Sequence, residues 1–129
     1  MLHREITEKI IYAFYKVNNE LGYGFLEKVD ENAMAIELRK IGLKVIQQKQ
    51  IVVRYNEQII GKYEADLIVS DMVIVETKAK ESLREEHEAQ LINYLKATDI
   101  EVGLLLNFGK KAEFKRKIFT KDKSSVERN

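Results

Sequence analysis

Asp66, Glu76 and Lys78 are the residues whose types and spacing could do chemistry. Asp66 stands inside Tyr63-Glu64-Ala65-Asp66-Leu67-Ile68-Val69 and Glu76 inside Val73-Ile74-Val75-Glu76-Thr77-Lys78, with Ser70-Asp71-Met72 between them. Both stretches read as β-strands joined by a tight turn. Side chains alternate faces along a strand, so Asp66 shares a face with Glu64 and Ile68, and Glu76 shares one with Ile74 and Lys78. A turn centred on Asp71 pairs Val69 with Val73 and sets Asp66 directly opposite Glu76. Like charges opposite one another destabilise paired strands, and an acid in a Val/Ile-rich run is also costly to desolvate. A divalent cation held between the two acids relieves both costs, and Lys78 could reach toward the same point. The alternative is a strand pair whose polar residues face solvent, with Lys78 pairing Glu76.

The chain that positions these residues has 129 residues, 45% of them hydrophobic, which suits one domain with a real core. Lys+Arg 22 against Asp+Glu 21 leaves a net charge of +1. That balance neither announces a nucleic-acid binder nor excludes one, because a local basic patch is enough. Cysteine is absent, so disulfides and thiolate metal sites are excluded and any metal must be held mainly by oxygen. The N-terminus lacks the apolar core of a signal peptide, and no run approaches membrane-spanning length. The expectation is a soluble, cytoplasmic protein.

Ile6, Ile10, Ala13, Val17 and Leu21 recur at helical spacing, which predicts a first helix from Arg4 to Leu21 with Gly22 as its stop. A second helix is expected from Leu26 to Ile41, ending at Gly42, with Val29, Ala33 and Ile36 as its inner stripe. Glu27 falls in its first turn, where the helix dipole favours a carboxylate anyway. A strand from Lys44 to Tyr55 turns at Asn56-Glu57 into the pair described above, and its polar Gln47 to Gln50 mark an edge or a bend. Ser82 to Glu85 fits a capping box for a third helix over 83–97, which sets His87, Gln90, Leu91, Tyr94 and Leu95 on one face. On that face His87 reads first as a satisfied hydrogen-bonding group at the core rim. Val102 to Asn107 is a strand buried on both faces, and Phe114 to Phe119 suggests one more. The order ααβββαβ(β) gives an α/β class fold of the α+β, mixed-sheet kind. It forms a single domain over 1–119, with a charged tail over 120–129 expected to be disordered.

An acid on an early helix (Glu27), Asp66, Glu76-Thr77-Lys78 and the Gln90 to Tyr94 spacing, in this order of elements, resemble the PD-(D/E)XK nuclease superfamily. Gly24-Phe25-Leu26-Glu27, Asn32-Ala33, the run from Glu86 to Leu91 and Gly103 to Gly109 are similar to its GxxExxY family, over about Ile6 to Phe119. Two positions depart from the pattern: Asp30 stands where the GxxExxY motif has Tyr, and Ala65 where the superfamily has Pro. The resemblance implies a restriction-endonuclease-like core and a metal-dependent nuclease acting on DNA more readily than RNA. It implies Mg²⁺ or Mn²⁺ on Asp66, Glu76 and the Thr77 carbonyl, with help from Glu27. Lys78 would position or deprotonate the attacking water, Gln90 would orient Lys78 or the water, and Tyr94 would support them or touch a phosphate. Asp30 could tune metal affinity or face water. Lys110, Lys111, Lys115, Arg116, Lys117, Lys121 and Lys123 could neutralise a nucleic-acid backbone, or form a solvated charged tail. Against catalysis stands a nuclease-fold module that binds nucleic acid or a partner and cleaves little. Small nucleases of this fold often pair two sites, which makes a homodimer an expectation as well.

Overall fold

The computed structural model describes residues 2–120. Helix α1, Arg4–Leu21, buries Thr7, Ile10, Ala13, Phe14 and Val17, the stripe its spacing predicts widened by Phe14. It stops at Gly22, whose N–H reaches Asn18 O at 2.9 Å. Helix α2, Glu27–Lys40, turns a different face inward from the one its apolar residues suggest. Met34, Ala35 and Leu38 are buried together with Asp30 and Glu31, whereas Ile36 is 59% exposed and Val29 39%. Met34 and Leu38 are among the largest fully buried side chains, and Ala35 between them lets the helix lie close to the sheet. Burying two long side chains fully contributes about 1.5–3 kcal/mol each, enough to set the rotation of a short helix.

Strands β1, Val45–Tyr55, and β2, Gln58–Val69, form a hairpin through Asn56 and Glu57, at φ 49° and 64°. Left-handed turn residues of this kind match the twist of paired strands. Strand β3, Val73–Lys78, follows a second turn with Ser70 and Asp71 at φ 53° and 57°, and Val69 pairs with Val73 as expected. Helix α3, Glu85–Lys96, then leads to β4, Val102–Phe108, and β5, Ala112–Ile118. The sheet order is β1-β2-β3-β4-β5, with β3 and β4 parallel across α3 and every other neighbour antiparallel. This is the mixed sheet flanked by helices of the restriction-endonuclease-like fold. β1 is one edge and β5 the other, the first in keeping with the polar Gln47 to Gln50, and β4 is buried along its whole length.

One face of the sheet, through Leu67, Val69, Val73, Val75, Leu104 and Leu106, packs on α1 and α2. The other, through Ile51, Ala65, Ile68, Ile74 and Leu105, packs on Leu91, Tyr94 and Leu95 of α3. Contact there is close: a Cβ added at Gly103 would lie 2.7 Å from Leu91 Cδ1. The start of α3 differs from the Ser82 to Glu85 box. The Arg84 N–H donates to His87 Nδ1 at 3.0 Å, so the helix begins two residues beyond Leu83 and His87 serves its end. The tail from Lys121, with Lys123, lies outside the described residues.

Candidate active site

Regular alternation is interrupted twice in the β1–β2 hairpin, by a register shift between Val53 and Arg54 and by Gln48, and the break at Gln48 builds the site. Val45 and Leu67 pack in the α1/α2 core, yet Ile51 and Ala65, an even number of residues away, pack under α3. The two strands exchange faces between the pairs Gln47↔Leu67 and Lys49↔Ala65, where Gln48 lies across from Asp66. Gln48 takes φ 53°, a left-handed conformation that costs a non-glycine residue about 1–2 kcal/mol. In consequence Ala65 and Leu67 face opposite sides of the sheet although they are two residues apart, and Asp66 between them is reached by Gln48 from β1 and by Thr77 from β3.

The β2–β3 ladder pairs Val69↔Val73, Ile68↔Ile74 and Leu67↔Val75, and one rung further Asp66 faces Glu76. There the carboxylates replace the ladder. The Asp66 N–H donates to Glu76 Oε2 at 2.8 Å, and the Thr77 N–H and hydroxyl donate to Asp66 Oδ2 at 2.8 and 3.1 Å. Each acid thus grips the other strand's backbone, which holds the two like charges together. Glu76 is 4% exposed. Burial first, then the charge of Asp66, pushes its carboxyl up to about 8. Burial raises Asp66 as well, against the hydrogen bonds from Thr77. Lys78 is half-buried, and its charge opposes the rise at Glu76.

Helix α2 brings three more acids. Glu27 Oε2 accepts the Ala79 N–H at 3.0 Å and so holds the chain one residue past Lys78. Glu31, 2% exposed, accepts from the Gln47 and Gln48 carboxamides at 2.7 Å each and from Lys28 Nζ at 3.0 Å. Gln48 Nε2 also reaches Asp66 Oδ1 at 3.3 Å, and the charge of Glu31 acts on both Asp66 and Glu76. Asp30, at the position where the GxxExxY motif has Tyr, is 1% exposed and does not face water. Its Oδ1 is buried without a partner among the described residues, and burial, then Glu27, pushes its carboxyl up to about 6. Glu31 joins the site because the sheet takes the Met34, Ala35 and Leu38 face of α2 rather than the Val29, Ala33 and Ile36 stripe, and Gln48 joins it through its left-handed backbone in β1. The Met34, Ala35 and Leu38 stripe reaches Asp30 and Glu31 one turn earlier and Glu27 two turns earlier.

From α3, Tyr94 joins the acids: it is 6% exposed, and burial followed by the charges of Glu76 and Asp66 pushes its hydroxyl up to about 12. Gln90 lines a cleft beside Tyr94, is exposed, and makes no hydrogen bond to Lys78. His87 is taken up by the helix cap. Beyond Lys78 the chain is clamped: Asn107 Oδ1 accepts the Lys80 N–H and its Nδ2 donates to the Lys80 carbonyl, both at 2.9 Å. The basic C-terminal third is not one patch. Lys117 pairs with Glu88, while Arg116 Nη2 donates to the Leu2 carbonyl at 2.5 Å.

A buried carboxyl, Glu76, and a half-buried one, Asp66, both raised by burial, offer hard oxygen to a cation of the Mg²⁺ or Mn²⁺ kind, and that chemistry fits. Among the described residues no group of three or more His, Cys, Asp or Glu is gathered to hold a metal. Asp66 and Glu76 would therefore need backbone, water or substrate oxygen to complete the shell, as Mg²⁺ usually does.

A family model described as the PD-(D/E)XK nuclease superfamily matches residues 4–117. No curated protein matches the sequence. Among solved structures, an alkaline exonuclease (LHK-Exo) from Laribacter hongkongensis is similar at TM-score 0.53 and 10% identity, over 99% of this chain and 75% of that one. A protein named SSO0001 is similar at TM-score 0.52 and 14% identity, over 99% and 84%. At such identities these likenesses speak for the fold.

Proposed function

The chain belongs to the PD-(D/E)XK nuclease superfamily, and on that premise we propose that it hydrolyses phosphodiester bonds in DNA with Mg²⁺ or Mn²⁺. Nucleases of this superfamily generally use divalent metals. Asp66, Glu76 and the Thr77 carbonyl would hold the ion, with Glu27 acting through water because one of its oxygens already holds the Ala79 N–H. When bound, the ion supplies positive charge to the scissile phosphate and acidity to water. Lys78, as a charged ammonium, donates hydrogen bonds that position the attacking water in line with phosphorus; as the new P–O bond forms the water's proton passes to solvent, and the ester oxygen leaves with a proton taken from solvent. Tyr94 borders the acids and supports the phosphate. The role expected of Gln90 is better placed in the cleft than on Lys78. The observation that carries this reading is the crossed pair of bonds that keeps Asp66 and Glu76 face to face despite their repulsion.

Gly24-Phe25-Leu26-Glu27 and Gly103 to Gly109 support membership of the GxxExxY family, in one domain over 1–119, with a cytoplasmic location and a homodimer as parts of the same proposal. A second reading, nucleic-acid binding with little cleavage, draws on one observation: no third acid is gathered on Asp66 and Glu76 among the described residues.

The test is incubation with linear, nicked and single-stranded DNA in Mg²⁺ or Mn²⁺, beside Asp66→Ala and Lys78→Ala. Each substitution is expected to reduce cleavage by roughly 10²–10⁴-fold. Cleavage persisting in both would sink the site. Absence of cleavage on every substrate, with salt-sensitive binding retained, would favour the second reading.

A further inference from the structure

The exchange of faces at Gln48 and Asp66 turns the outer half of the β1–β2 hairpin toward α3 and leaves a cleft of about 740 Å³ between them. That volume lies in the range of small-ligand sites. Its wall runs up to the acids through Tyr94, whose hydroxyl feels Asp66 and Glu76 on one side. On the other side the Tyr94 ring meets that of Tyr63, centroids 5.5 Å apart and tilted 45°. Tyr63 stays 47% exposed, lying over Gly61 with a side of its ring available. Arg54 and Lys96 add two cations that form no ion pair among the described residues, Lys96 Nζ standing 5.6 Å from the Phe119 ring centroid, and Gln90 and Asn93 add exposed amides with no hydrogen bond there. Glu86 brings a single acid, and Arg84 Nη1 lies 4.0 Å from it.

We propose that this cleft receives unpaired nucleotides of a single strand next to the scissile phosphate, a base stacking on Tyr63 while Arg54 and Lys96 neutralise the backbone. Resting on the nuclease reading above, it deepens that reading by naming the substrate class. An aromatic face flanked by cations is the usual platform for single-stranded nucleic acid, since every base has a π-face. In a duplex those faces are taken by neighbouring bases, and a space of this size admits one or two unstacked nucleotides rather than a helix. Gln90 and Asn93, both lining the cleft, are then available to meet base edges, which gives a task to Gln90, whose amide makes no hydrogen bond to Lys78.

The experiment measures fluorescence anisotropy with labelled single-stranded DNA, a blunt duplex of the same sequence and the matching RNA strand, in EDTA so that nothing is cut. Cleavage of the same DNAs is followed separately in Mg²⁺ or Mn²⁺. Single strands are expected to bind at least tenfold more tightly than the duplex. Tyr63→Ala should weaken single-strand binding by roughly tenfold or more, Tyr63→Phe should restore it, and duplex binding should not change. Arg54→Ala and Lys96→Ala should each flatten the salt dependence by roughly one phosphate contact. RNA bound as well as DNA supports the same occupancy by stacking. Equal affinity for duplex, or unaltered single-strand binding by a folded Tyr63→Ala protein, overturns the proposal even if DNA is cut. Single-strand binding that behaves as expected, with no DNA cut in either metal, leaves the cleft standing and removes the nuclease reading.

Discussion

Asn107 and Asp30 are buried alike, 0% and 1% exposed, and are treated in opposite ways. Asn107 has each end of its amide paired with the backbone of Lys80, and the turn beyond it is so close that a Cβ on Gly109 would lie 1.9 Å from Lys80 O. Asp30 has a buried oxygen without a partner among the described residues and a carboxyl pushed up to about 6. Asn107 holds the segment that follows Lys78, and Asp30 feels the charge of Glu27, which itself holds the Ala79 N–H of the same segment. The first is built for permanence and the second stores free energy, which is the expected division where a scaffold must stay rigid while a charged site stays reactive.

The largest loss of stability is expected at the clamp between Asn107 and Lys80. Gly109→Ala forces Lys80 to move, and Asn107→Ala leaves its N–H and carbonyl unpaired. Each is expected to cost about 3 kcal/mol, seen as a fall of roughly 10 °C in the thermal midpoint. If either protein melts like the parent, the clamp is not structural.

Asp30→Asn should act in the other direction, by about 2 kcal/mol. The folded carboxyl, near 6, holds its proton more tightly than the unfolded one, near the ordinary 3.8. Between those values the folded state binds more protons, so stability falls as pH rises through about 4 to 6 and the full penalty remains above it. The substitution should therefore stabilise at pH 8 and change little at pH 4. Urea unfolding at both pH values, in EDTA, checks this. Destabilisation at pH 8 would put Asp30 in the same class as Asn107.

The sequence made part of this contrast legible. A short turn and strict alternation were enough to oppose Asp66 and Glu76, because both strands are regular from Val69 and Val73 to that rung. The spacing of Ile10, Ala13 and Val17 placed α1 for the same reason. Alternation could not foresee Gln48, since a left-handed residue inside a strand is a choice made by its partners, Glu31 and Asp66. Nor could α2 be oriented alone. Val29 and Ile36 compete with Met34 and Leu38 for the core, and only the sheet decides, carrying Asp30 and Glu31 inward with the winners. His87 was legible as a satisfied side chain, but its partner, Arg84, was hidden by the stronger Ser82 to Glu85 pattern.

Gln48 offers the smallest and sharpest test, because it belongs to both kinds of region. Its backbone is strained, while its carboxamide donates to Glu31 Oε1 at 2.7 Å and to Asp66 Oδ1 at 3.3 Å. Gln48→Gly relieves a left-handed conformation worth about 1 kcal/mol. It also removes a donor to two carboxylates, at a cost of about 1.5–3 kcal/mol for the closer bond, reduced where water can enter. The two effects nearly offset, and a net loss of about 1 kcal/mol or less is expected from denaturant unfolding. Cleavage should fall further than stability does, because the repulsion between Glu31 and Asp66 is no longer bridged and Asp66 loses its hold from that side. A protein that unfolds as the parent does yet cuts more slowly would show that the strain at Gln48 is kept for the site. One that loses several kcal/mol would show instead that Gln48 belongs with Asn107, as part of the frame.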